Sequence, residues 1–485
     1  MRTALHVSGP PLRHSRTVIG VLASCGIAVS LMQTLVVPLL PEFPRLLDTT
    51  PGNAAWLVTA ALISGAVFSP VLGRLGDMYG KRRMLLVALG LMALGSAIGA
   101  VTDDFAAVLV GRVLQGTAVG VVPLGISIMR DLLPEDKVAS GVALMSATLG
   151  IGGAIGLPIT GVVAQHLSWH WLFAGAVAFA LLEMLLVRRI VPESALRTGG
   201  RFDLLGAVGL SAALTCLLLA ISKGNDWGWS SALVLGLFGG AAVLFAGWGW
   251  YELRTPAPLV NLRVSARPVV LLTNINSVLV GMAMFAGFLV GAQLMQAPEA
   301  TGYGFGMSLV LSGVVLLPIG SAMGVFSPLS ARITRRWGPR TTLITGSLVL
   351  VAGHLASSAL HGPLPVVVGG LTVVAIGGAL VYGALPTTIM RAVPSTETAA
   401  ANSLNTLARS IGTSGCSAVV AALTTGSVVH VAGVEYPSGA AYSAVFLVAG
   451  GAAALAVLLA ALTPALPAPG STTASDTSYE PVRSR

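Results

Sequence analysis

Charge is what this chain has least of. Asp, Glu, Lys and Arg together make up 9% of 485 residues, where a soluble domain carries about a quarter, and an ordinary water-facing surface cannot be assembled from so few. Acids are the scarcer sign, 18 against 27 Lys and Arg. Cysteine is nearly absent: Cys25, Cys216 and Cys416 lie far apart, each in an apolar run, with no CxxC spacing. That excludes a disulfide framework and a thiolate metal centre, and leaves small packing residues. There is no HExxH pair, no Gly-rich phosphate cradle and no metal cluster, so a membrane enzyme or an ATP-driven pump lacks its chemistry. A receptor's soluble output domain is missing as well. Met1–Arg16 has no short apolar segment ending in a cleavage site, so the first apolar run is expected to stay in the protein.

What the chain has is apolar length. Hydrophobic residues make up 55%, in uninterrupted runs near the roughly 20 residues a membrane helix needs; a barrel would alternate over about 10. The 59 glycines suit helices that approach closely in lipid. Six runs fall within residues 17–190, two within 191–268 and six within 269–463. The expectation is an all-α membrane protein of fourteen transmembrane helices: an N-terminal six-helix half, a linker with two extra helices, and a C-terminal six-helix half. Residues 1–16 and 464–485, with little to bury, are expected to be disordered cytoplasmic ends.

The basic residues are one-sided. With the N-terminus inside, one set of loops holds Arg74, Lys81–Arg83, Arg130, Arg188, Arg335, Arg340, Arg391 and others, whereas the opposite set holds only Arg45 and Lys223. The expected location is the cell's inner (plasma) membrane, and the positive-inside bias puts both termini in the cytoplasm. It also accounts for the formal net charge of +9 without any nucleic-acid partner. Trp56, Trp169, Trp171, Trp227 and Trp229 then lie at the outer face, and Trp248, Trp250 and Trp337 at the inner one, as aromatic belts require.

An internal repeat sets the plan. Ala331–Arg340 aligns without a gap beneath Gly73–Arg82, so that Arg74, Gly80 and Arg82 recur as Arg332, Gly338 and Arg340. Each copy joins the second and third runs of its block of six. Two parallel six-helix halves are one way transporters build a central site that faces either side in turn.

These residues resemble the major facilitator superfamily, and more narrowly its fourteen-span drug:proton antiporters. Gly73-x-Leu75-x-Asp77-x-x-Gly80-Lys81-Arg82 fits the superfamily's signature after span two, and Arg112-x-x-Gln115-Gly116 its span-four signature. Gly152-x-x-x-Gly156-Leu157-Pro158-x-x-Gly161, with Trp169-His170-Trp171 beyond it, is similar to the antiporter motif of span five. The chain departs from the family twice. Met32 and Val37 stand where the span-one pattern carries Asp and Asn, and the span-five proline is displaced by one.

The resemblance implies alternating access and proton-coupled efflux of a hydrophobic or amphiphilic drug. The proton gradient would supply the energy, with no cofactor; the partners would be a small-molecule substrate and the lipid bilayer, and the working unit a monomer. A metabolite carrier of the same fold, for export or uptake, is the second reading. Gly73, Asp77, Gly80, Lys81 and Arg82 would form a latch between halves, confined to the first copy because Arg335 replaces Asp77 in the second. For the basic residues the alternative is simple topological anchoring.

Charges at membrane depth are costly, at least ~2.5 kcal/mol on insertion scales, so Arg112 and Glu183 are the coupling candidates. Arg112 and Gln33 sit at depths that agree within about a turn at 1.5 Å per residue, and the expectation is that they meet. Arg112 then serves either the proton carrier or substrate, or it caps carbonyls of span one. Glu183 is either the proton carrier or a partner of Arg188 or Arg189. Arg409 is either an inner-leaflet snorkel or a cavity residue. Gln33, Gln115, Asn274, Asn276 and Gln293 are the substrate-cavity candidates, with Met282, Met284, Phe285 and Phe288 as adaptable apolar wall. Gly152, Gly156 and Gly161 are expected to form a smooth ridge for packing between halves, with Pro158 as a bend.

Overall fold

The computed structural model describes residues 15–40, 42–359, 363–431 and 433–464; the expected disordered ends lie almost wholly outside them. Long helices dominate: α1 (Ser15–Thr34), α2 (Trp56–Tyr79), α3 (Lys81–Val101), α4 (Phe105–Leu132, tightened by a 3-10 turn at Thr117–Gly120), α5 (Glu135–His166) and α6 (His170–Ile190). Then come α7 (Leu204–Trp227), α8 (Ala232–Glu252), α9 (Pro268–Gln296), α10 (Leu309–Ser358), α11 (Leu364–Ala392), α12 (Thr398–Thr425) and α13 (Gly439–Leu462). Twelve helices among the described residues are long and apolar enough to cross a membrane. A small antiparallel hairpin, β1 (Val428–Val431) and β2 (Val434–Pro437), follows α12. The Tyr303 hydroxyl ties it down by donating to the Pro437 carbonyl.

Apolar packing falls into two main bodies. One cluster draws on α1 to α6, from Val18 to Val191, with Met390 and Ala399 added from the far half. Two further clusters draw mainly on α9, α10, α11 and α13 and meet α12 through Cys416 and Val420. Within lipid the gain comes mostly from close packing of small and branched side chains, since the surroundings are equally apolar. The pair α7 and α8 lies outside these bodies. Ala207, Leu210, Leu214 and Leu218 of α7 pack with Ala66 of α2 and Leu407 of α12. Of α8, only Val234, Ala241 and Glu252 are buried, so its apolar circumference faces outward as a helix in contact with lipid does.

The repeat is legible in the backbone. Gly80 (φ 121) separates α2 from α3, and Gly338 (φ 85, ψ 162) interrupts α10, which it divides into two arms. Both stand at the glycine shared by the two loop copies, in a region of φ that only glycine occupies at little cost. The following arginines behave alike: Arg82 donates to the Arg188 carbonyl at the end of α6, and Arg340 to the Ala461 carbonyl at the end of α13. Each loop is thus fastened to the last helix of its own half.

The two glycines differ in surroundings. A Cβ at Gly338 meets nothing within 4 Å, whereas one at Gly80 falls 2.8 Å from the Glu193 carboxylate. Gly338→Ala is therefore expected to cost only the backbone strain, about 1–3 kcal/mol. Gly80→Ala adds a collision to that strain and should lower the thermal unfolding midpoint further. Equal midpoints for the two variants in detergent would contradict this difference.

Candidate functional site

At the basic end of the molecule, Asp77 in the last turn of α2 is wholly buried. Its carboxylate accepts the backbone N–H groups of Ala399 (3.2 Å) and Ala400 (2.8 Å), in the first turn of α12. Those N–H groups have no partner inside their own helix, and the helix dipole adds positive potential there, so an anion is the fitting cap. Contact this close needs a bare backbone on α2: a Cβ at Gly73 lies 2.3 Å from Ser403 Oγ and 2.8 Å from the Ala399 carbonyl oxygen. Lys81 Nζ sits 3.6 Å from Asp77 and 2.6 Å from Asp131. Asp131 also accepts from Ser194 Oγ at 2.6 Å, and Glu193 caps α3 by accepting from Arg82 N and Arg83 N. Arg130 adds a second strap, donating to Thr398 Oγ1 at 2.5 Å. The five motif residues are brought together, and the sequence reading missed Asp131 and Glu193 as their partners and Arg130 as a strap beside them.

The second loop copy reaches across in the mirrored sense. Arg335 donates to Ser140 Oγ on α5 at 2.8 Å, and both are exposed or half-buried. One contact is buried, the other a surface hydrogen bond of low value.

Arg112 on α4 is 3% exposed. It donates to the Leu57 carbonyl (2.9 Å), the Met32 carbonyl (3.2 Å) and Gln115 Oε1 (2.7 Å). Gln115 in turn donates to Ser96 Oγ at 2.8 Å. The expected meeting with Gln33 is a near miss, because the bond goes to the adjacent Met32 carbonyl. Gln33 shares only a cavity of about 20 Å³ with Arg112 and Gln115, about the room one water needs. Gln115 is thus spent within the fold and does not line the main cavity.

Glu183 is buried between α6 and α1, where Ser24 Oγ (3.1 Å) and Cys25 Sγ (3.2 Å) donate to its Oε2. Its partners are these two groups, not Arg188 or Arg189. Asn276 donates to the Ala456 carbonyl at 2.8 Å, and Asn274 accepts from Asn405 at 3.0 Å, so both amides hold α9 to its neighbours and stand outside the cavity. Gly152 and Gly156 face Ser30 and Thr34 of α1, within one half; Gly161 faces Val310 of α10, and Pro158 meets Gly313 there. The expected ridge therefore joins the halves only at its outer end.

Opposite the Asp77 contact, the bundle opens. A vestibule of about 1320 Å³ is lined by residues that include Trp169, His170, Gln293 and Tyr442. Below it lies a chamber of about 250 Å³ between the halves, with Gln33, Met284, Phe285, Tyr382, Thr406 and Arg409 in its wall. Phe288 borders both spaces. Gln33 lines the chamber and Gln293 the vestibule. Tyr382 and Thr406 were not foreseen, and Arg409 turns out to be a chamber residue.

Comparison with known proteins follows the same lines. The family model described as Major Facilitator Superfamily matches residues 22–415. The tetracenomycin C resistance and export protein of Streptomyces glaucescens is 30% identical over 335 residues, 69% of this chain. The match spans 61% of that protein, so this chain accounts for less than two thirds of its length. The multidrug resistance protein Stp of Mycobacterium tuberculosis is 26% identical over 391 residues, 80% of this chain and 72% of that one. The human organic anion transporter MFSD10 superposes with a TM-score of 0.65 at 19% identity, covering 93% of this chain and 100% of that structure; this likeness is one of fold alone.

Proposed function

The chain belongs to the major facilitator superfamily of transporters, and from that premise we propose that it exports hydrophobic or amphiphilic compounds by alternating access, coupled to protons. The observation that carries the reading is the pairing of a closed basic end with an open opposite end. Asp77 seals α2 to α12, while the vestibule and chamber stay accessible from the other side. Two six-helix bodies whose basic end is held by a buried, charge-dependent contact have the parts such a swing needs. Relatives named for tetracenomycin C resistance and export and for multidrug resistance favour drugs as cargo over nutrients.

In this reading there are fourteen spans in a six-two-six plan. The twelve long apolar helices become thirteen when the arms of α10 on either side of Gly338 count separately, and α12 is the fourteenth. Its polar composition fits its place beside the chamber. The latch lies at the cytoplasmic face of the plasma membrane, both termini are cytoplasmic, and the protein works as a monomer without a cofactor. Glu183 is favoured over Arg112 as the proton carrier. A carboxylate held by two single-proton donors can take up a proton, whereas the guanidinium is committed to acceptors of the fold.

Everted membrane vesicles test this. Fluorescent amphiphiles of anionic, neutral and cationic type are offered with and without an inside-acid gradient. At least one is expected to accumulate several-fold faster with the gradient, and to lose that advantage with a protonophore. Uptake indifferent to the gradient would refute antiport.

A further inference from the structure

Among the described residues three arginines are buried; Arg74 lies near the basic end of α2, whereas Arg112 and Arg409 lie well inside their helices and have opposite fates. Arg112 makes three hydrogen bonds, two to backbone carbonyls and one to Gln115. Arg409 on α12 is only 9% exposed, yet among the described residues its guanidinium has neither a hydrogen bond nor a carboxylate partner. Its one neighbour of consequence is the Tyr382 ring, 5.0 Å from Cζ, which attracts a cation through its face without cancelling the charge. The guanidinium lines the deep chamber and does not snorkel to the basic end.

We infer that the chamber is an oxyanion-binding subsite, in which Arg409 grips the carboxylate or ionised acidic hydroxyl of an amphiphilic cargo; this rests on the export reading above. Four observations converge on it. A buried, unpaired cation is expensive to keep and becomes favourable only when an anion joins it. No other charged residue lines the chamber, so nothing within it competes for Arg409. Gln33 and Thr406 line the same space, and neither side chain has a hydrogen bond among the described residues; an amide N–H and a hydroxyl remain for a second ligand oxygen.

The fourth observation concerns where the acids are. In the vestibule above, Glu42 stands 3.3 Å from Arg45 and Asp103 stands 3.3 Å from His170. The mouth therefore carries paired charges, and the floor carries a single positive one. Met284, Phe285 and Phe288 form the apolar wall, able to hold an aromatic or polycyclic body while a planar guanidinium takes the acid head. A lipophilic cation of the same shape would meet like charge in a poorly solvated space and be rejected.

Three fluorescent probes of one shape decide the matter: anthracene-9-carboxylate, its carboxamide, and 9-(aminomethyl)anthracene as the ammonium. Binding is measured to the purified full chain in lipid nanodiscs. The carboxylate is expected to bind about tenfold tighter than the carboxamide, a difference of about 1.4 kcal/mol, with the ammonium weakest. In Arg409→Gln the carboxylate should fall to the level of the carboxamide. Carboxamide affinity should stay unchanged, which also reports an intact chamber. Arg409→Lys should restore part of the preference, because the charge returns without the planar fork.

Equal affinities in the unaltered protein, or a preference that survives Arg409→Gln, overturn the assignment. Vesicle transport of the same probes separates the two readings. Gradient-driven export of the carboxamide or ammonium without any carboxylate preference defeats the anion subsite and leaves the exporter standing. Tight carboxylate binding with no movement of any probe defeats the exporter and leaves the subsite. If none of the three binds, both fall.

Discussion

Asp77→Asn is expected to open the basic end of the molecule and cut transport at least tenfold. Asparagine keeps the shape and one acceptor oxygen, so the fold survives. What it loses is the charge that faces the first turn of α12 and Lys81. Hydrogen bonds to a charged acceptor contribute about 1.5–3 kcal/mol each and neutral ones about 0.5–1.5. Ala399 and Ala400 use different carboxylate oxygens, so in the amide one bond weakens and the other is lost, about 3 kcal/mol in sum, which is a shift on the order of 100-fold between the closed and open arrangements. Spin labels at the exposed positions Tyr79 and Ser395 should report a longer distance in the variant. An unchanged distance distribution together with unchanged transport would remove the latch from the mechanism. Arg335→Ala is the internal control: its bond to Ser140 is exposed, and its loss should leave the distance unaltered.

Arg112→Met carries the second large effect, and it falls on stability. The substitution preserves apolar volume but leaves the Met32 carbonyl and Gln115 Oε1 without this donor and takes a second donor from the Leu57 carbonyl. A buried acceptor stripped of its partner costs about 1–3 kcal/mol, so a loss on the order of 4 kcal/mol is expected before relaxation. The thermal midpoint in detergent should drop by several degrees and the yield of monodisperse protein should collapse. Arg112→Lys can reach only some of the three acceptors and should fall between. A variant with methionine that keeps its midpoint but loses gradient coupling would instead make Arg112 part of the proton pathway.

Much of the architecture can be read from composition and from one repeated loop. Long apolar runs settle helices, and the recurrence of Gly80 as Gly338 marks the two points where glycine turns the chain between helices. The site was legible in depth and much less in direction. A run of residues gives the height of Gln115, Asn274 or Asn276 in the membrane, but whether each faces cavity or neighbour depends on the rotation of its helix. That rotation is fixed by packing with segments far away in sequence: α4 is held through Arg112 by Met32 and Leu57, and Asn276 by Ala456. The same limit hid the partners of the loop. Asp131 and Glu193 lie 54 and 116 residues beyond Asp77, and no local pattern announces them. Arg409 could be flagged as an intramembrane charge, but only its empty surroundings distinguish it from Arg112.

The placement of α7 makes the molecule unequal toward the bilayer. By packing with Ala66 and Leu407 it lies along the pair of helices that the Asp77 latch fastens, with α8 outside it. Lipid on that flank meets α7 and α8 where it would otherwise meet the seam between the halves. On the other flank α5 and α10 touch each other directly, Gly161 against Val310 and Ala154 against Gly320. A solute dissolved in the membrane therefore faces a shuttered side and a bare one, and the pseudo-symmetry of the two halves does not extend to their surroundings.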